Sequence, residues 1–109
     1  MKIVGAPFTV TDWNAIPPSE HPGESGIARW RTLEVGETRV RLVEYSAGYR
    51  ADHWCSRGHV ILILEGELRV EIQGGPTHSL TKGMSYVVSD DLAPHRSSTV
   101  PGAKLFIVD

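Results

Sequence analysis

GYRADHWCSRGHVILILEGELRVEIQGGP, residues 48–76, holds two apolar runs separated by a glycine and closed by a turn. In the second run Leu68, Val70 and Ile72 alternate with Glu67, Arg69 and Glu71, so apolar groups fall on one face of a strand and charges on the other. Residues 59–64, HVILIL, read as another strand, Glu65-Gly66 as the turn after it, and Gln73-Gly74-Gly75-Pro76 as a hairpin turn. Upstream, RWRTLE (29–34) leads through the turn VGE into TRVRLVEY (38–45), where Val40 and Leu42 alternate with Arg39 and Arg41 as in a half-buried strand. Downstream come THSL, MSYVV, HRSST and AKLFIV, each bounded by Gly, Pro, Asp or Lys. About eight short strands with glycine-rich turns and no helical periodicity predict an all-β domain, an antiparallel β-sandwich or small barrel, over residues 29–109.

Residues 1–28 read differently. The stretch 5–28 carries four of the seven prolines and three of the eleven glycines, without strand or helix periodicity. Proline lacks the backbone donor that a ladder needs, so an extended, irregular N-terminal arm is expected, with one short turn around Trp13 and Ile16 capped by Thr11 or Asp12. Phe8, Trp13 and Ile16 gain from burial, either on the arm's own domain or on a partner subunit.

A chain of 109 residues has room for one compact domain of this kind. One cysteine cannot close an intramolecular disulfide, and MKIVGAPFTV has no secretory-signal pattern, so a cytoplasmic location is expected. The longest apolar run has five residues, against roughly 18 needed to cross a bilayer, so no membrane association is expected. Eleven basic residues are scattered among 13 acidic ones, which offers nucleic acid no basic footprint.

The chemistry-bearing residues are concentrated in the opening stretch. His53 and Cys55 are two apart and would share a face of a strand. His59 follows after Ser56-Arg57-Gly58, and His95 begins a later strand after Leu92-Ala93-Pro94. Imidazole and thiolate are ligands for zinc, iron, copper and nickel, so His53, Cys55, His59 and His95 form a candidate site for a divalent transition metal. The competing reading is a set of structural histidines and a buried thiol. Asp52 has the opposite strand parity and reads as a surface residue, or else as the acceptor that fixes an imidazole tautomer. Tyr45, Tyr49 and Tyr86 read as core packing or as hydroxyls lining a site. Arg50 and Arg57 read as solvated charges or carboxylate receptors, and His21 and His78 as surface residues.

These residues resemble the motifs of a known family. Gly48, four residues, His53-Trp54-Cys55, three residues, His59, six residues and Gly66 resemble the first motif of the cupins, with Cys55 in place of its second histidine and His59 in place of its glutamate. Gly83, five residues, Ser89-Asp90-Asp91, His95 and Thr99 are similar to the second motif, with Ser89 and Asp91 where it has proline and glycine, and Thr99 where it has asparagine. More narrowly, Asp52-His53-Trp54-Cys55 resembles the signature of small bacterial cupins named for Asp-His-Cys-Trp. The resemblance implies a jelly-roll barrel with a metal (zinc, iron or nickel) held at its mouth by His53, His59 and His95, and by Cys55 as fourth ligand or neighbour. It frequently goes with a homodimer and names no substrate; a small-molecule ligand or substrate is expected. If all four residues bind, the site is a closed zinc centre suited to a non-catalytic binding or sensing module. If Cys55 stays off, open positions suit a metal-dependent oxygenase, isomerase or lyase.

Overall fold

The longest strand organises the molecule. In the computed structural model, which describes residues 2–109, the segment expected as two strands around a Glu65-Gly66 turn is one strand, β4, His59–Ile72. Its register slips between Ile63 and Glu65, and Gly66 takes φ +80°. This is a β-bulge, which bends the strand while the ladder continues. Only glycine suits the bend, because a Cβ at position 66 would run into the carbonyl oxygen of Gly102, just before the neighbouring strand.

The other strands are β1 Ser19–Pro22, β2 Ile27–Val35, β3 Thr38–Tyr45, β5 Thr77–Thr81, β6 Ser85–Val88, β7 His95–Ser98 and β8 Ala103–Val108. All pairings are antiparallel. β1, β2, β3, β8 and the first half of β4 lie side by side, with β6 against the free edge of that half. The second half of β4 passes into another layer, between β5 and β7. The two layers make the expected all-β jelly-roll architecture, and no described helix is long and apolar enough to cross a membrane.

The core lies between the layers. Val43, Ile61, Ile63, Leu68, Val70, Leu80, Leu105 and Ile107 are buried there, each in phase with the two-residue period of its strand. On β3 the faces are the reverse of the expected ones. Arg41 and Val43 are the buried residues, and Arg39 and Tyr45 share their parity, while Val40 and Leu42 face outward. The period was legible, but the mouth of the barrel is a polar cavity that takes the arginines.

The arm begins as expected and then departs from the expectation. Asp12 caps a 3-10 turn at Trp13–Ala15 by accepting from the Asn14 N–H at 3.1 Å. Trp13 meets Phe106 edge to face, and Arg31 donates to the carbonyls of Trp13 and Ile16. Residues 19–22 then form an edge strand on β2, where His21 stacks on Trp30 with 3.7 Å between ring centroids. Phe8 stays outside, 98% exposed, and Met1 lies outside the described residues.

Candidate metal centre

Strand parity aims several polar side chains into one end of the barrel. His59 opens β4 in phase with Ile61 and Ile63, and His95 opens β7. Asp109 follows β8 in phase with Ala103, Leu105 and Ile107. Cys55 lies outside any strand but is pinned to His95: the Cys55 N–H donates to the His95 carbonyl at 2.7 Å, and the His95 N–H to the Cys55 carbonyl at 2.9 Å. The loop beneath is held by Gly58 and Asp91. The Gly58 N–H donates to Asp90 Oδ1 at 2.6 Å, and the Asp91 N–H to the Ser56 carbonyl at 2.8 Å. Asp91 has φ +57°, a left-handed conformation that aspartate tolerates better than most residues. It occupies the position where the cupin motif has glycine.

Of the four expected ligands, the structure brings three together. One ligand atom from each of Cys55, His59 and His95 lies within 4.8 Å of the others. His53 stays apart. Residues 51–58 run as a loop rather than a strand, so the shared face expected for His53 and Cys55 does not form. The His53 ring is 75% exposed, with Nδ1 2.6 Å from Asp52 Oδ1. Asp52 therefore meets an imidazole, but one outside the cluster.

The tautomers follow from the partners. His95 Nδ1 lies 2.8 Å from the Ala93 carbonyl oxygen, which can only accept, so Nδ1 carries the proton and Nε2 presents its lone pair. His59 Nδ1 is buried without a hydrogen-bond partner among the described residues and faces Asp109 Oδ2 at 3.6 Å. A carboxylate at that place favours the Nδ1 proton and leaves the His59 Nε2 lone pair inward. The two Nε2 atoms are 2.8 Å apart. Two lone pairs at that distance repel, so a proton or a metal ion belongs between them. With the Cys55 sulfur beside them, the donor set fits a divalent transition metal.

The surroundings tune these groups. The Cys55 thiol is pulled below its ordinary value by the hydrogen bond with His95, and His95 is raised by the same contact. Burial opposes ionisation of Asp109, yet contacts with His59, Arg39 and Arg41 outweigh it and hold the carboxyl well below the usual range. Arg39 grips Asp109 with two bonds, Nε at 2.9 Å and Nη2 at 3.0 Å, and Arg41 Nη2 adds a third at 3.1 Å. The Tyr86 hydroxyl is 3.2 Å from His59 Nε2, and burial pushes the phenols of Tyr86 and Tyr45 upward, so both stay neutral. Tyr45 stacks on Tyr49 at 4.2 Å.

Cys55, His59 and His95 border a cavity of about 300 Å³ whose wall also includes Trp30, Arg39, Arg41 and Asp109, with His53 and Arg57 among its lining. A second cavity of about 400 Å³, mostly apolar, adjoins His95 and Tyr86 from the β5–β6 side. Arg50 pairs with Glu24 at 3.0 Å, His21 packs on Trp30, and His78 is exposed. Asp109, Arg39 and Arg41 were not among the sequence candidates. Asp109 could have been found by extending the alternation of AKLFIV by one inward position.

No protein-family model matches the chain, and no curated protein matches it in sequence. Solved structures do match in shape. An RmlC-like cupin from Shewanella frigidimarina superposes with a TM-score of 0.76 at 17% identity, covering 96% of this chain and 92% of that one. Ectoine synthase from P. lautus gives 0.75 at 19% identity, covering 93% and 76%. A sugar phosphate isomerase of the cupin superfamily from Silicibacter pomeroyi gives 0.69 at 18% identity, covering 92% and 74%. The fold is therefore that of a small cupin, as the motif resemblance implied.

Proposed function

We propose that this protein is a metal-dependent enzyme acting on a small molecule, with Cys55, His59 and His95 holding a divalent transition metal at the barrel mouth. The supporting observation is the pair of imidazole Nε2 atoms facing each other at 2.8 Å beside the Cys55 sulfur, while His95 Nδ1 donates to the Ala93 carbonyl and His59 Nδ1 faces the Asp109 carboxylate. Three protein ligands rather than four leave positions open toward the cavity, the arrangement that a catalytic site needs. When bound, the ion would polarise a substrate oxygen as a Lewis acid. The chain's own residues then have distinct tasks. Asp109 orients His59, the Ala93 carbonyl orients His95, and the neutral Tyr86 hydroxyl holds a proton beside His59. Two structural neighbours, ectoine synthase and the sugar phosphate isomerase, are enzymes by name, in keeping with small-molecule chemistry on this fold.

The other reading is a non-catalytic sensing module with a closed zinc site, in which His53 swings inward as fourth ligand; its place in the cavity lining favours that option. Elemental analysis of protein purified without added metal separates the two. The enzyme reading expects about one metal per chain, lost in His95→Ala, sharply reduced in Cys55→Ser and retained in His53→Ala. Loss in His53→Ala supports the closed site, and wild-type protein without stoichiometric metal sinks both.

A further inference from the structure

Positive charge dominates the wall of the metal-side cavity. Arg39, Arg41, Arg57 and Arg96 all line it, against Asp109 as its one carboxylate. Arg96 is matched from outside the cavity by Glu71, at 3.2 Å. The remaining three share Asp109, which Arg39 and Arg41 bond and Arg57 Nε approaches at 3.7 Å. Three guanidinium groups sharing one side-chain carboxylate leave positive charge in excess beside the cluster.

Arg41 is the informative member of the group. Its side chain is 8% exposed and its guanidinium lies over the Trp30 ring at 4.4 Å, which fixes its plane. Arg39 spends its Nε–Nη2 edge on Asp109, whereas Arg41 spends only Nη2. Arg41 Nε is buried and has no hydrogen-bond partner among the described residues. A buried donor left unmade is costly, and Arg41 also lines the cavity, so its guanidinium is held at the wall where an oxyanion would meet its charge. Burial and the neighbouring Arg39 both disfavour the Arg41 cation, which is the condition an incoming anion relieves.

We propose that the substrate is a small oxyanion, a molecule carrying a carboxylate or phosphate group, whose charged end docks on Arg41 with Arg57 at the rim, beside the Cys55–His59–His95 cluster. This rests on the metal-centre reading for the identity of the site as an active site, but the anion contact itself needs no metal. It places the reacting part of the substrate next to the three ligands and fixes its orientation by charge.

The test is calorimetric titration of the purified protein with propionate, with inorganic phosphate and with the neutral isostere propionamide, in wild type, Arg41→Met, Arg57→Gln and Cys55→Ser, with metal content measured on every sample. At least one anion should bind wild type, and which one binds identifies the carboxylate or phosphate group. Binding should weaken about tenfold or more in Arg41→Met and a few-fold in the 55%-exposed Arg57→Gln, fall as salt is raised, and be absent for propionamide. Should Arg41→Met fail to fold, the exposed-site variant Arg57→Gln carries the decision. The proposal is overturned if neither anion binds at millimolar concentration, if propionamide binds as well, or if the arginine variants bind as wild type does. An anion held by the metal alone would be lost in Cys55→Ser and indifferent to the arginines, which also overturns it. Arginine-dependent binding by wild-type protein without metal upholds the anion site and removes the metal reading; stoichiometric metal with arginine-independent binding does the reverse.

Discussion

Asp109 is the residue on which the most interactions converge. Its side chain is 1% exposed, yet it meets Arg39, Arg41 and His59. A buried carboxylate in that position holds charges that would otherwise repel, and removing one partner from such a group costs about 3 to 5 kcal/mol. Asp109→Asn should therefore lose on the order of 3 kcal/mol in urea denaturation. On the proposed metal reading, the same variant should bind the ion about tenfold or more weakly, because His59 loses the carboxylate charge that orients it. The pH dependence follows from the direction of the shift. The folded-state pKa lies below the ordinary carboxylate value of 3.8, so the stabilisation is complete above that value and is lost as the pH falls below it. Wild type should lose stability steeply below about pH 4, and Asp109→Asn less steeply. A parallel acid profile for the two proteins would contradict this role.

At the scale of elements, β4 decides the architecture, because it alone belongs to both layers. It can do so because Gly66 takes a conformation closed to other residues and lets Gly102 approach. Gly66→Ala is expected to cost about 2 kcal/mol or more, read as a lowered midpoint in thermal or denaturant unfolding. Unchanged stability would mean that the bulge relaxes without strain. The glycine was plain in the sequence, but a turn and a bulge carry the same local signature; what distinguishes them is whether neighbouring strands continue the ladder. β3 shows a similar limit. Its alternation was legible, while the choice of face depended on what the interior holds at that level.

At the scale of the whole molecule, the outer face of the larger layer is covered unevenly. Trp13 lies on Phe106, but Val60, Leu62 and Val87 are exposed on the same face, with Val60 and Val87 directly paired. We propose that the homodimer implied by the cupin resemblance forms on this face, since contiguous exposed apolar groups mark association sites. Light scattering should give twice the chain mass, and Val87→Lys should halve it; a wild-type monomer would end the idea. Periodicity in the sequence marked most of the strand segments, because a two-residue repeat is a local property of the backbone, but it split β4 in two and missed β1. Motif spacing pointed to the cupin fold. Tertiary structure alone decided that His53 faces solvent while His59 and His95 meet, that Asp109 and two arginines complete the site, and that Arg41 lies inside. Those outcomes depend on which strand ends come together in space, and no local pattern encodes that.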